Sequence, residues 1–250
     1  MHARLAAAKP HRRFDEESSG GMSGTTIDFM VHQASGPSRE RLKIARLVIA
    51  GWTGRDPVAR DKHIAELEEL GIPRPASTPI YYEVAARRLT TDDVIEASGG
   101  DSSGEVEFVL LRANGRLYVG VGSDHTDRKV ETYNITVSKQ MCDKPIAPEL
   151  WLHSEVSAHW DQIVLRAYAT IDGERELYQE GTLAGMLAPD DLIVRRFSDG
   201  LPEGTAMLGG TFAAKGGIRP AERFDYEMFD PVLNRTIRSG YVVETLAIVG

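Results

Sequence analysis

The chain is poor in cysteine. Cys142 is the single one in 250 residues, so no disulfide can form within the chain. A structural zinc site built on cysteines is excluded as well, and the histidines form no compact cluster. No apolar run reaches the length of a membrane span. The first residues, MHARLAAAKPHRR, are basic with a short alanine-rich patch, which makes a poor secretory signal. There is no GxSxG elbow and no phosphate-loop spacing, so neither an α/β-hydrolase nor a P-loop enzyme is supported. Cations are the minority charge: 29 Lys and Arg stand against 37 Asp and Glu, a net charge of −8. That balance argues against nucleic acid or an anionic membrane as the main partner. A chain with one thiol fits a reducing, cytoplasmic compartment.

What is present describes a globular domain. Hydrophobic residues make up 42% and charged residues 26% of the chain, enough for a sizeable core. Residues 1–24 read as a disordered tail, and Met22 after Ser-Ser-Gly-Gly is an alternative start. Residues 25–250 read as one domain. Strands are expected at 25–31, 42–51, 80–86, 162–171, 174–179, 192–197, 206–208, 224–230 and 236–246, and alternation over 131–137 indicates another. Asp56-Pro57 opens one convincing helix, on which Val58, His63, Ile64, Leu67 and Leu70 form an apolar stripe. The stretch 151–160 fits helix or strand. The expected class is therefore α+β, mostly β.

One stretch carries the chemistry. Glu105 and Glu107 precede an apolar run, an Asn114-Gly115 turn, a second apolar run and then Ser123-Asp124-His125-Thr126-Asp127-Arg128. Asn-Gly between two such runs predicts a two-residue hairpin loop with Ala113 opposite Arg116. Counting back sets Asp124 opposite Glu105. Side chains at i and i+2 share a face, so Glu105 and Glu107 lie with Val109 and Leu111. Three carboxylates gathered there either form a solvated acidic edge or hold a hard divalent cation through oxygen ligands.

Other features are weighed beside it. His63 and Glu66, three apart on the helix, are either an ordinary half-buried histidine with a surface glutamate or an acid–base pair. Lys139 and Arg128 are either solvated or placed to offset developing negative charge. GGTFAAKGG, from Gly209 to Gly217, is a plain turn or a loop whose amides reach a substrate. Cys142 reads as a small buried filler.

Taken in order, these motifs resemble those of the fumarylacetoacetate hydrolase superfamily. Glu105-Val106-Glu107 with Ser123-Asp124-His125-Thr126-Asp127-Arg128 is similar to its Glu-x-Glu and Asn-Asp-x-Thr-x-Arg pair. His63-Ile64-Ala65-Glu66 resembles the His-x-x-Glu of its lid helix, and Lys139 ahead of Pro145 to Pro148 resembles its active-site lysine. Tyr178-Gln179-Glu180-Gly181 and the segment from Glu203 through Thr211 to Gly217 match two further motifs. The likeness spans about residues 47–246 and is closest to a divergent bacterial branch of unassigned function. Ser123, Asp127, Lys129 and Thr205 depart from the family pattern, and the spacing from Asp124 to Lys139 is short.

The resemblance implies a mixed β-roll and sandwich fold and a homodimer. It implies Mg²⁺ or Mn²⁺ on Glu105, Glu107 and Asp124. His63, Glu66 and Lys139 become the catalytic residues, and Arg128, Gln140, Gln179, Gly210 and Thr211 the substrate contacts. The implied reaction is hydrolysis of a C–C bond in a 2-oxo or 2,4-dioxo acid through a metal-stabilised enolate. Decarboxylation, hydration or isomerisation on the same site is the alternative, and a non-catalytic metabolite-binding protein a third.

Overall fold

The Asn114-Gly115 turn is where the fold can be entered. Both residues have positive φ, 52° and 72°, as a type I′ hairpin loop requires. The turn joins strand β6 (Val106–Ala113) to β7 (Arg116–Ser123), with Ala113 opposite Arg116 as the spacing predicts. The computed structural model describes residues 24–69 and 74–249, with the side chains of His63, Glu66, Leu67 and Glu69 outside the description. The expected tail, residues 1–24, lies outside the described residues except for Gly24.

The hairpin sits at the centre of an eight-stranded mixed sheet. Its other strands are β1 (Thr25–His32), β2 (Ser38–Ile44), β3 (Arg46–Gly51), β4 (Ile80–Val84), β8 (Glu149–Leu152) and β11 (Thr205–Leu208). The order is β2-β1-β8-β7-β6-β11-β3-β4. A second, five-stranded sheet has the order β10-β9-β12-β13-β5, from Glu174–Thr182, Val164–Ile171, Arg223–Asp230, Arg235–Leu246 and Val94–Ser98.

The large sheet is rolled. Strand β2 lies at one end of its order and β3 next to the other, yet a single residue, Ala45, separates them in the chain. The run 42–51, expected as one strand, is therefore two. The amides of Ala45 and Arg46 both donate to the Gly204 carbonyl, at 2.7 and 3.1 Å, where the chain passes from one to the other. Glu40 on β2 accepts from Arg116 at 2.6 Å and from Tyr118 at 2.8 Å, although two strands lie between β2 and β7. Curling brings these groups together.

Rolling gives β6 two buried faces. Val106, Phe108 and Leu110 join the core shared with the five-stranded sheet, and Phe108 meets Trp160 edge-on at 5.1 Å. Val109 and Leu111 face inward, among Phe29, Leu42, Ile49 and Tyr118. Glu107 falls on this inner face by the period of two.

Helices differ most from expectation. Helix α1 (Pro57–Glu69) forms as predicted, with Asp56 capping the amides of Val58 and Ala59 at 2.8 and 3.3 Å. Ile64 is buried, but Val58 points to solvent and Leu70 lies outside the described residues. The expected strand at 131–137 is instead two short helices, α2 (Arg128–Glu131) and α3 (Ile135–Gln140). Asp127 and Asn134 cap them by accepting from Val130 and Val137, at 2.8 and 3.0 Å, and this local bonding overrides the β-branched alternation. The expected strand at 192–197 is helix α4 (Pro189–Arg196), with proline at its start, Asp190 and Asp191 in its first turn and Arg195 and Arg196 in its last. The undecided stretch 151–160 divides into the end of β8 and short helical turns from His153 to Gln162.

Leu111 is fully buried inside the roll. Leu111→Ala should cost about 2–5 kcal/mol of stability, read as a lower urea midpoint with an unchanged slope.

Candidate metal centre and active site

The site forms where the central hairpin opens. Asp124 follows β7 and its amide donates to the Glu105 carbonyl at 3.0 Å, so the predicted pairing of these residues holds. Glu107 reaches the same space from inside the roll. One carboxylate oxygen from each of Glu105, Glu107 and Asp124 lies within 4.8 Å of the others. Glu107 also accepts from the Gly210 amide at 2.8 Å. Gly210 has φ 103°, and a Cβ there would meet the Thr53 hydroxyl at 1.8 Å, so this close approach requires glycine.

Cations surround the acids. Lys139, carried on α3, lies 2.5 Å from Asp124 Oδ2 and 3.9 Å from Glu105 Oε2. Lys144, with no exposed surface, lies 3.3 Å from Asp124 Oδ1 and donates to the carbonyls of His125 and Cys142, at 2.5 and 3.1 Å. Arg128 stands behind Glu105 at 3.4 Å and bonds Glu131 at 2.9 Å. Burial alone would raise the Asp124 pKa, but Lys139 and Lys144 outweigh it and hold the carboxyl below its usual range. Glu107 goes the other way: burial, then the Asp124 and Glu105 charges, push it well above an ordinary glutamate. Burial works against a charged Lys139, yet the neighbouring carboxylates raise its pKa.

The residues flanking Asp124 are tied down. The Tyr241 hydroxyl bonds Ser123 Oγ at 2.9 Å and His125 Nδ1 at 3.0 Å, and His125 Nε2 bonds Ser102 Oγ at 2.8 Å. Burial, followed by the Lys144 and Arg128 charges, lowers His125 to about 3 and keeps it neutral.

A cavity of about 610 Å³ opens over the acids. Glu105, Glu107, Asp124, Lys139, Gln179, Gly210 and Thr211 all line it. Gln179 is spent on protein groups: it accepts from the Val106 amide at 2.9 Å and donates to Thr211 Oγ1 at 2.8 Å and the Phe212 carbonyl at 2.6 Å. It positions the 209–217 loop. Arg128 does not line the cavity but braces Glu105. Gln140 points away, exposed, and donates to the Glu83 carbonyl at 2.9 Å, which removes it from the substrate contacts. His63 and Glu66 lie on α1, whose Ala59 and Arg60 line the cavity with its cap Asp56, but the side chains of His63 and Glu66 are outside the description.

Sequence reasoning missed Lys144, Thr53, Arg60 and Tyr82, whose ring centroid lies 5.8 Å from Lys139 Nζ. None belongs to a periodic pattern or motif in the chain; for Lys144, only a second lysine close after Lys139 hinted at it.

The acids suit a metal. All three are hard oxygen donors, which Mg²⁺ and Mn²⁺ prefer, and Glu107 pays for burial without a cation of its own within ion-pair distance among the described residues.

The rolled sheet with this acidic hairpin defines a class, the fumarylacetoacetate hydrolase fold. A yeast protein of that family, ynq8, is similar at 18% identity and TM-score 0.56, covering 81% of this chain and 94% of its own. A 2-keto-3-deoxy-D-arabinonate dehydratase complexed with magnesium and 2,5-dioxopentanoate is similar at 13% identity and TM-score 0.57, over 84% of this chain and 77% of its own. The 5-carboxymethyl-2-hydroxymuconate delta-isomerase of Mycobacterium smegmatis follows at 14% and 0.54, over 85% and 86%. No curated protein is significantly similar in sequence. Within this class the chain belongs to the family described as "Protein of unknown function (DUF2848)", whose model matches residues 50–241.

The raised Glu107 pKa has a stability consequence. Without metal the folded state keeps a proton that the unfolded chain releases above the ordinary value of 4.5. The stability from this group is whole below pH 4.5 and declines as pH rises toward the folded value. In a chelator, Glu107→Gln should flatten that decline in melting temperature; an unchanged slope would show that Glu107 is not the titrating group.

Proposed function

We propose that the protein is a divalent-metal-dependent hydrolase that cleaves a C–C bond in a 2-oxo or 2,4-dioxo acid of the acylpyruvate type. The observation that carries the reading is the convergence of Glu105, Glu107 and Asp124 at the floor of a cavity of about 610 Å³, with Lys139 beside them. Glu105, Glu107 and Asp124 would hold Mg²⁺ or Mn²⁺. The ion, when bound, supplies a Lewis acid for the oxygens of a 2-oxo acid.

The rest falls to the chain's own groups. His63, paired with Glu66, takes a proton from water, and the hydroxide adds to the distal carbonyl carbon. The C–C bond then breaks and its electron pair stays on the 2-oxo acid fragment as an enolate. Lys139 offsets that negative charge, and protonation of the enolate carbon gives a 2-oxo acid and a carboxylic acid. Arg128 and Lys144 act from behind, by fixing Glu105 and Asp124. Gly210 and Thr211 form the wall against which the substrate lies.

A second reading, decarboxylation, hydration or isomerisation of a 2-oxo acid, is favoured by the dehydratase and the isomerase that share the fold. It uses the same enolate and does without the His63–Glu66 pair. We take the protein to act as a homodimer in the cytoplasm. No helix among the described residues is long and apolar enough to cross a membrane.

Two outcomes are expected. Glu105→Ala and Glu107→Ala should each abolish Mn²⁺ binding by calorimetry while far-UV circular dichroism stays native; full retention would remove the site assignment. A screen of acylpyruvates with Mg²⁺, followed by mass, should show addition of water and two fragments. His63→Ala should remove that activity, and hydrolysis at the original rate would reject the pair.

A further inference from the structure

Arg60 is a cation on the cavity wall that the proposed mechanism does not use. It lies on α1, two residues after Val58, and lines the cavity together with Asp56 and Ala59. Its side chain is only 17% exposed. Among the described residues its ionic partner is Asp61, which is 57% exposed. Nε and Nη2 both converge on one oxygen of that neighbour, at 3.3 and 3.2 Å. Such a pair between adjacent residues is not a two-oxygen fork and stabilises little. A largely buried guanidinium is costly unless it meets better acceptors.

The remaining wall does not supply them. Asp56 lines the cavity but uses Oδ1 to cap the helix, at 2.8 Å from the Val58 amide. Lys139, which lines the same cavity, is committed to Asp124 and Glu105. Arg60 is therefore the lining cation, among the described residues, that is not engaged with the metal-site acids. Gly185, Ala213, Ala214 and Gly217 are small members of the same wall.

We propose that Arg60 is a specificity residue that receives a second carboxylate at the far end of the substrate, so that the substrate class is a 2-oxo acid with an anionic tail. This rests on the proposed function, in which the 2-oxo acid end lies over Glu105, Glu107 and Asp124. A guanidinium and a carboxylate form two parallel charge-assisted hydrogen bonds, which an uncharged tail of equal length cannot make. Placing the reader on α1 also couples tail recognition to the helix that bears His63 and Glu66.

The test uses matched pairs with Mg²⁺ present: 2-oxoglutarate against 2-oxopentanoate, and 2-oxoadipate against 2-oxohexanoate. Calorimetry gives the ratio of affinities within each pair. The wild type should prefer the diacid in at least one pair by about tenfold or more, as one charge-assisted fork allows. Arg60→Gln should bring that ratio close to one, and Arg60→Lys should restore part of it, with melting temperatures confirming folded protein. Equal binding of diacids and monoacids by the wild type, or a preference that survives Arg60→Gln, overturns the role of Arg60 and leaves the 2-oxo acid site standing. Binding of neither class overturns the 2-oxo acid reading itself, and this inference with it.

Discussion

Much of this structure depends on keeping three carboxylates together out of water. Asp124 is fully buried, Glu107 nearly so, and Glu105 is mostly covered. Left alone, such a cluster would repel and protonate. Lys139 and Lys144 each engage one oxygen of Asp124, and Arg128 stands behind Glu105. Among the described residues Glu107 has no cation within ion-pair distance, and burial together with the Asp124 and Glu105 charges raises its pKa. A divalent ion would supply that cation, which ties the local charge balance to the proposed chemistry.

The architecture serves that cluster. Rolling the large sheet gives β6 an inner face, and Glu107 is delivered there with Val109 and Leu111. The five-stranded sheet contributes Tyr241, whose hydroxyl holds the residues on both sides of Asp124. Strand β10 contributes Gln179, which fastens the 209–217 loop to the start of β6. Each sheet thus supplies a brace, and the cavity lies where the braces converge. Gln140 lies off the cavity lining because α3 presents Lys139 inward and its next residue points out, and Arg128 lies off it because it braces Glu105.

Strong local signals are legible in the sequence. Asn114-Gly115 set the hairpin register, and counting from it brought Asp124 to Glu105. Asp56-Pro57 marked the start of α1. Signals failed where two local preferences compete. Residues 131–137 alternate like a strand, yet Asp127 and Asn134 cap helices there. Residues 192–197 are rich in β-branched and apolar side chains, yet Pro189 and the charges at its ends make α4 a helix.

The sequence by itself determined the hairpin, its three acids and their order along the chain, because turn geometry and a period of two act over neighbouring residues. Only the tertiary structure decided that Lys144 reaches Asp124, that Tyr241 bridges Ser123 and His125, and that Arg60 borders the same cavity. Those contacts join residues from separate elements, and no local rule relates them. They exist because the large sheet rolls and the five-stranded sheet packs against it, and rolling is a property of the assembled strands.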